Sequence, residues 1–241
     1  MLNFSDSRSF GRSLSAISLV ATPLILFLGA LIGPDLGDNT GEELTKISDN
    51  EATYIIGGLL FLIAPLVLIP GMVGTIRLMR RRRVTLGQVG AALILIGGLS
   101  TIAFYGYGLV EYVAATESGL DHAQMAKLFD AAEDTALNVP FIVLFFIGLI
   151  VGSVLLGVAL WRSRVVPIWS PIALVVSTVI NFGGENKWIA VISFALLFVA
   201  LLPIAQKILS ISDDDWERWR LPEAERAQPP PAAPTGPPTG A

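Results

Sequence analysis

The chain of 241 residues contains no cysteine and a single histidine. The first absence excludes disulfide frameworks, thiolate nucleophiles, iron–sulfur clusters and cysteine-ligated zinc. The second leaves no histidine inside any apolar run, because His122 lies in a polar stretch, so haem ligation or activation of a serine within a span has no base to use. No glycine-rich phosphate loop and no HExxH motif occurs. No cofactor is expected, and no catalytic or metal-binding residue is assigned. Charge is scarce too: 15% of the residues are charged, against about 25% in ordinary soluble domains, while 53% are hydrophobic.

What fills the chain instead is long apolar runs. A bilayer core of about 30 Å needs about 20 residues of helix. Six stretches are read as spans, at about 15–33, 52–76, 86–112, 139–161, 168–183 and 188–209, of which the fifth falls short of that length. The expected fold is all-α, a polytopic membrane helical bundle of six transmembrane helices. The first run follows Arg8 and Arg12 in the manner of a signal peptide, yet its length and its Ile32-Gly33-Pro34-Asp35 ending suit an uncleaved helix. Pro23, Pro65, Pro70, Pro171 and Pro203 fall inside the runs, where neighbouring helices can satisfy the freed backbone groups.

Basic residues give the orientation, since cytoplasmic flanks of membrane spans are enriched in lysine and arginine. Thirteen basic residues fall on one side: Arg8, Arg12, Arg77, Arg80 to Arg83, Arg162, Arg164, Lys207, Arg218, Arg220 and Arg226. Three, Lys46, Lys127 and Lys187, fall on the other. Both termini are therefore expected in the cytoplasm, with the plasma membrane as the location. Trp161, Trp169 and Trp188 stand at expected span ends, the depth that amphipathic rings favour.

Residues 1–14 read as a cytoplasmic N-terminus, 15–209 as the membrane domain, 210–226 as a juxtamembrane segment and 227–241 as a disordered proline-rich tail, ending QPPPAAPTGPPTGA. In the juxtamembrane segment, Asp213 to Asp215 can cap a short helix with Trp216 and Trp219 on one face, suited to the membrane interface or to an ordinary helix end. Two basic turns, GTIRLMRRRRVTLG and GVALWRSRVVPIWS, place Gly74 and Gly157 alike, which suggests two similar hairpins flanked by single helices.

The exterior loops hold twelve carboxylates against three lysines. A vestibule for cations and a set of solvated loops both fit that balance. In the second loop, Asp121 with Gln124 makes a cap, and Leu120, Met125, Leu128, Phe129 and Ala132 recur at helical spacing, so an amphipathic surface helix is expected over His122–Thr135 on the outer side. His122 with Glu117, Asp121 and Asp130 falls short of the usual zinc donor set.

Within the spans Glu111 is the only carboxylate, near the outer headgroup level with Tyr105, Tyr107 and Tyr112. Asn138, Asn181 and Lys187 stand at comparable heights and complete a candidate polar cluster. A solute path through the bundle would draw on Ser100, Thr101, Ser177, Thr178 and Asn181. Arg77, Arg80, Arg81, Arg82 and Arg83 are placed to meet anionic lipid headgroups. Their nearness to the bilayer argues against a nucleic-acid role. Gly29-Ala30-Leu31-Ile32-Gly33 and Gly148-Leu149-Ile150-Val151-Gly152 are GxxxG motifs that let helix backbones approach, within the bundle or between protomers.

The stretch from Ala52 to Ala115, with GGLLFLIAPLVLIPGMVGTIRLMRRRR, GAALILIGG and EYVAA, together with the proline-alanine tail, resembles uncharacterised multi-pass membrane proteins of actinobacteria. The resemblance implies a plasma-membrane protein of six helices and carries over no site residue. The leading expectation is a non-catalytic component or scaffold of a membrane assembly, with the lipid bilayer and a protein partner or second copy as its contacts. A small-solute or cation transporter or channel with an acidic outer vestibule, and a membrane enzyme of unrecognised type, are the alternatives.

Overall fold

The computed structural model of the protein describes residues 7–36, 39–79, 84–133, 135, 139–184 and 186–217. Asn138, Arg80 to Arg83, Trp219 and the tail 227–241 lie outside the described residues. Within them, the chain is helical throughout: α1 (Ser7–Ile32), α2 (Thr40–Asp49), α3 (Glu51–Met79), α4 (Val84–Thr116), α5 (His122–Glu133), α6 (Val139–Phe146), α7 (Gly152–Ser163), α8 (Trp169–Asn181), α9 (Lys187–Leu209) and α10 (Asp213–Glu217).

Five segments are long and apolar enough to cross a membrane: Ser9–Ile32, Glu51–Met79, Thr85–Thr116, Val139–Ser163 and Lys187–Leu209. The shortest has 23 residues, or about 35 Å of helix, which exceeds a hydrocarbon core of about 30 Å. Their outward faces are apolar as well. Leu109 is 64% exposed and Ile192 59%, a distribution suited to lipid rather than water. The remaining apolar helix, α8, has 13 residues and measures about 20 Å.

The helices pack through small residues. A Cβ on Gly57 of α3 would lie 3.1 Å from the Gly33 Cα and 3.2 Å from the Gly29 carbonyl oxygen, so the first GxxxG motif is an α1–α3 contact. The second meets α4: a Cβ on Gly148 would lie 2.6 Å from the Gly97 Cα, and one on Gly152 2.8 Å from the Ile94 nitrogen. At that crossing the fourth long segment is wound more loosely, as a π-turn over Ile147–Val151 between α6 and α7. Leu19, Met72, Ile94, Leu156, Leu160, Leu174, Leu201 and Ile204 form the buried core.

At one end of the bundle α2 and α5 form a cap. The Asn39 side chain accepts a hydrogen bond from the Glu42 N–H and starts α2, which turns Leu44 and Ile47 wholly inward. They meet Phe129 of α5 and Ala114 and Ala115 of α4. The Thr40 hydroxyl donates to Asp130, tying the two cap helices together. The opposite, basic end is closed by α10. Trp216 is only 6% exposed, packed inward with the Arg77 guanidinium 4.9 Å from its ring centre, while Arg12 pairs with Asp213 at 3.1 Å and donates to the Ile211 carbonyl.

Candidate functional site

The centre of the bundle holds a cavity of about 370 Å³. Every pass of the chain along the bundle contributes to its wall: Thr22 from α1, Phe61 and Pro65 from α3, Thr101 and Tyr105 from α4, Phe145 from α6, Ser153 from α7, Asn181 from α8, and Ser193 and Phe194 from α9. The size falls within the range of small-molecule sites, about 300–1,000 Å³. Among the described residues, none that lines it is charged.

Most of the lining hydroxyls are already engaged by backbone. Thr22 donates to the Ser18 carbonyl at 2.8 Å, Thr178 to that of Leu174 at 3.1 Å, and Ser177 to the same carbonyl at 2.8 Å. Thr101 and Ser153 donate to the carbonyls of Gly98 and Leu149. Ser193 of α9 donates across to the Ser177 carbonyl of α8 at 2.8 Å, and outside the cavity Ser170 donates to the Ala200 carbonyl at 2.7 Å, so these two bonds clamp the α8–α9 pair. Hydroxyls bound in this way have no donor left for a ligand and present only acceptor lone pairs. The Asn181 amide and the Tyr105 hydroxyl differ: among the described residues neither is engaged in a hydrogen bond, and both residues line the cavity, Tyr105 lining a second one of about 410 Å³ as well.

Of the five residues expected along a solute path, Thr101, Ser177, Thr178 and Asn181 line the cavity. Ser100 is absent from the wall; its hydroxyl donates to the Ile96 carbonyl at 2.9 Å. The described members of the candidate polar cluster are Glu111, Asn181 and Lys187. Glu111 is buried, 8% exposed, in a tyrosine-rich zone below the cap, where the Tyr54 hydroxyl donates to the Gly108 carbonyl at 3.1 Å and Tyr54 stacks on Tyr112. Asn181 faces the cavity. Lys187 donates to the carbonyls of Leu31 and Gly33 at 3.3 and 3.0 Å, placing its charge at the negative end of the α1 dipole.

Two of the carboxylates around His122 are used locally. Asp121 accepts from the Ala123 N–H at 2.8 Å as the cap of α5, Asp130 accepts from Thr40, and His122 itself bonds through Nε2 to the Ala115 carbonyl at 3.0 Å. Among the described residues, no three His, Cys, Asp or Glu side chains gather into a metal-binding group. Arg77, read from sequence as a headgroup contact, has its guanidinium over Trp216.

Two features escaped the reading of the sequence. Helix α2 was signalled by Asn39 ahead of Glu42 and Glu43, with Leu44 and Ile47 three apart, but its short length and acidic surroundings read as loop. The aromatic wall of Phe61, Tyr105, Phe145, Phe182 and Phe194 left no sequence signal, because apolar residues facing a cavity and those facing lipid look alike.

A family model described as a domain of unknown function (DUF4386) matches residues 14–209. No curated protein and no solved structure matches the chain.

Proposed function

The chain belongs to the DUF4386 family, whose model runs from within α1 to the end of α9, and we propose that it is a non-catalytic ligand-binding component of a membrane assembly. In this reading it spans the plasma membrane six times with both termini in the cytoplasm. One observation carries the proposal: all the passes of the bundle share a central cavity of about 370 Å³, with no charged lining among the described residues and two polar side chains free to bind. Helix α8 counts as the sixth pass despite its length. It lies between α7 and α9 in the chain and packs against both.

Catalysis would require an activated group in the cavity wall. A nucleophile needs an adjacent base and a positioned third group, whereas the hydroxyls here are tied to backbone carbonyls. Cation passage through an acidic vestibule is the weaker alternative, since among the described residues no carboxylate lines the cavity. Carriage of a neutral solute is favoured over it by Pro65 in the wall and by the π-turn beside Phe145, both places where a helix can flex.

Native mass spectrometry of the protein released gently from its own membrane tests the binding reading. The expected spectrum shows the 25.7 kDa chain retaining a small neutral mass and a second polypeptide. A chain that never carries a small molecule, under conditions that preserve known lipid adducts, would remove it. Topology is tested separately. The absence of cysteine makes single substitutions clean reporters: Ser118→Cys should react with an impermeant maleimide on intact cells, and Ser210→Cys only after lysis. The reverse pattern would overturn the orientation.

A further inference from the structure

The chemistry of the cavity wall narrows the ligand class, a step that rests on the ligand-binding function just proposed. The wall is polarised. Asn181, the last residue of α8, and Tyr105 of α4 stand toward the capped end, where α9 begins. Toward the basic end the wall is Met72, Ile94, Leu174 and Leu201, all buried and apolar. An ionised group in such a wall would lose its hydration and meet no counter-charge among the described residues, so charged ligands are disfavoured. A pure hydrocarbon would leave the Asn181 amide and the Tyr105 hydroxyl facing apolar atoms, and that too is unfavourable.

We infer that the cavity takes a neutral amphiphile, with one hydrogen-bonding head at Asn181 and Tyr105 and an apolar tail against Met72, Ile94, Leu174 and Leu201. Size fits this class. An engineered apolar cavity of about 150 Å³ holds benzene, so about 370 Å³ accommodates roughly 15 non-hydrogen atoms at the same density. A medium-chain alcohol, amide or ester is of that size. A diacyl phospholipid is far too large and would bring charge. The head has both hydrogen-bonding roles open to it, since an amide and a phenol each donate and accept. The ligand reaches the site from the membrane phase, because a molecule this apolar partitions there before it meets the protein.

The test uses the full chain in phospholipid nanodiscs with a diazirine-bearing analogue of 1-dodecanol, mapping the photolabelled peptides by mass spectrometry. The expected result is saturable labelling within α8 and the first half of α9, displaced by unlabelled 1-dodecanol at about tenfold lower concentration than by dodecane or dodecanoate. Asn181→Leu combined with Tyr105→Phe should erase that tenfold preference while labelling persists. Gly98→Leu should abolish saturable labelling by filling the cavity: a Cβ on Gly98 meets only Pro65, at an ordinary 3.6 Å, so the variant should still fold. Equal competition by dodecane, stronger competition by dodecanoate, or an unchanged preference in the double variant would overturn the ligand class and leave cavity binding standing. Absence of saturable labelling, or labelling indifferent to Gly98→Leu, would overturn the binding reading itself.

Discussion

Replacing Gly148 by alanine adds one methyl group where two helices touch through their backbones. The new Cβ would lie 2.6 Å from the Gly97 Cα and nitrogen and 2.7 Å from the Leu93 carbonyl oxygen, whereas ordinary contact begins at 3.4 Å. No flexible side chain stands in the way to yield, so α4 and the π-turn segment must part by nearly 1 Å. A gap of 0.5–1 Å already forfeits a quarter to a half of each van der Waals contact along the seam, and overpacking of this kind costs about 1–3 kcal/mol. Alanine returns up to about 1 kcal/mol through helix propensity. The net expectation is a destabilisation of about 0–2 kcal/mol. Gly106→Ala is the matched control, because a Cβ there meets nothing within 4 Å and only the propensity gain applies. Equilibrium unfolding of both variants in mixed dodecyl maltoside and SDS micelles, followed by circular dichroism, should separate them by about 1–3 kcal/mol, the overpacking cost alone, because the propensity gain is common to both. Equal stability of Gly148→Ala and Gly106→Ala would refute the claim that the second GxxxG motif is spent on the α4 seam.

Trp216→Ala should free α10, since it removes both a buried ring and the partner of the Arg77 guanidinium. Limited trypsin digestion should then cleave at Arg12 or Lys207 faster than in the parent, and an unchanged digestion pattern would mean that the ring anchors nothing. Leu44→Ala removes a wholly buried side chain from the cap, at about 2–4 kcal/mol. Hydrogen exchange should rise across Thr40–Asp49 and in α5 while α9 stays protected, and a uniform rise along the chain would argue against a separable cap. Glu111→Gln should leave alkanol photolabelling of α8 unchanged, because Glu111 lies outside the cavity wall; a loss of labelling would tie the two regions together.

Particular residues show where sequence reading succeeded and where it stopped. The long apolar segments were legible because bilayer thickness imposes a minimum run that few other constraints produce. Helix α5 was legible from Asp121 and the spacing of Met125, Leu128 and Phe129, two local signals that agree. Asn181, Lys187 and Glu111 could be placed at similar heights, since height follows from position along a span. Their surroundings could not be read, because which way each faces depends on how the helices rotate against one another. Trp216 is the plainest instance. A tryptophan near a span end suits the membrane interface on sequence grounds, yet the chain folds back and buries it on Arg77.

By itself, then, the sequence determined that this is a helical protein with several apolar segments able to span a membrane, and one without cysteine. Those properties are one-dimensional: they rest on run length, charge placement and residue types that are either present or missing. The tertiary structure alone decided that Gly29 and Gly33 meet α3, that Gly148 and Gly152 meet α4, and that Asn181 and Tyr105 remain open in a cavity ringed by all the long helices. In lipid, an apolar side chain is equally at home against a neighbour, a tail or a void, so hydrophobicity does not rank the faces of a helix and only close packing of the backbones does.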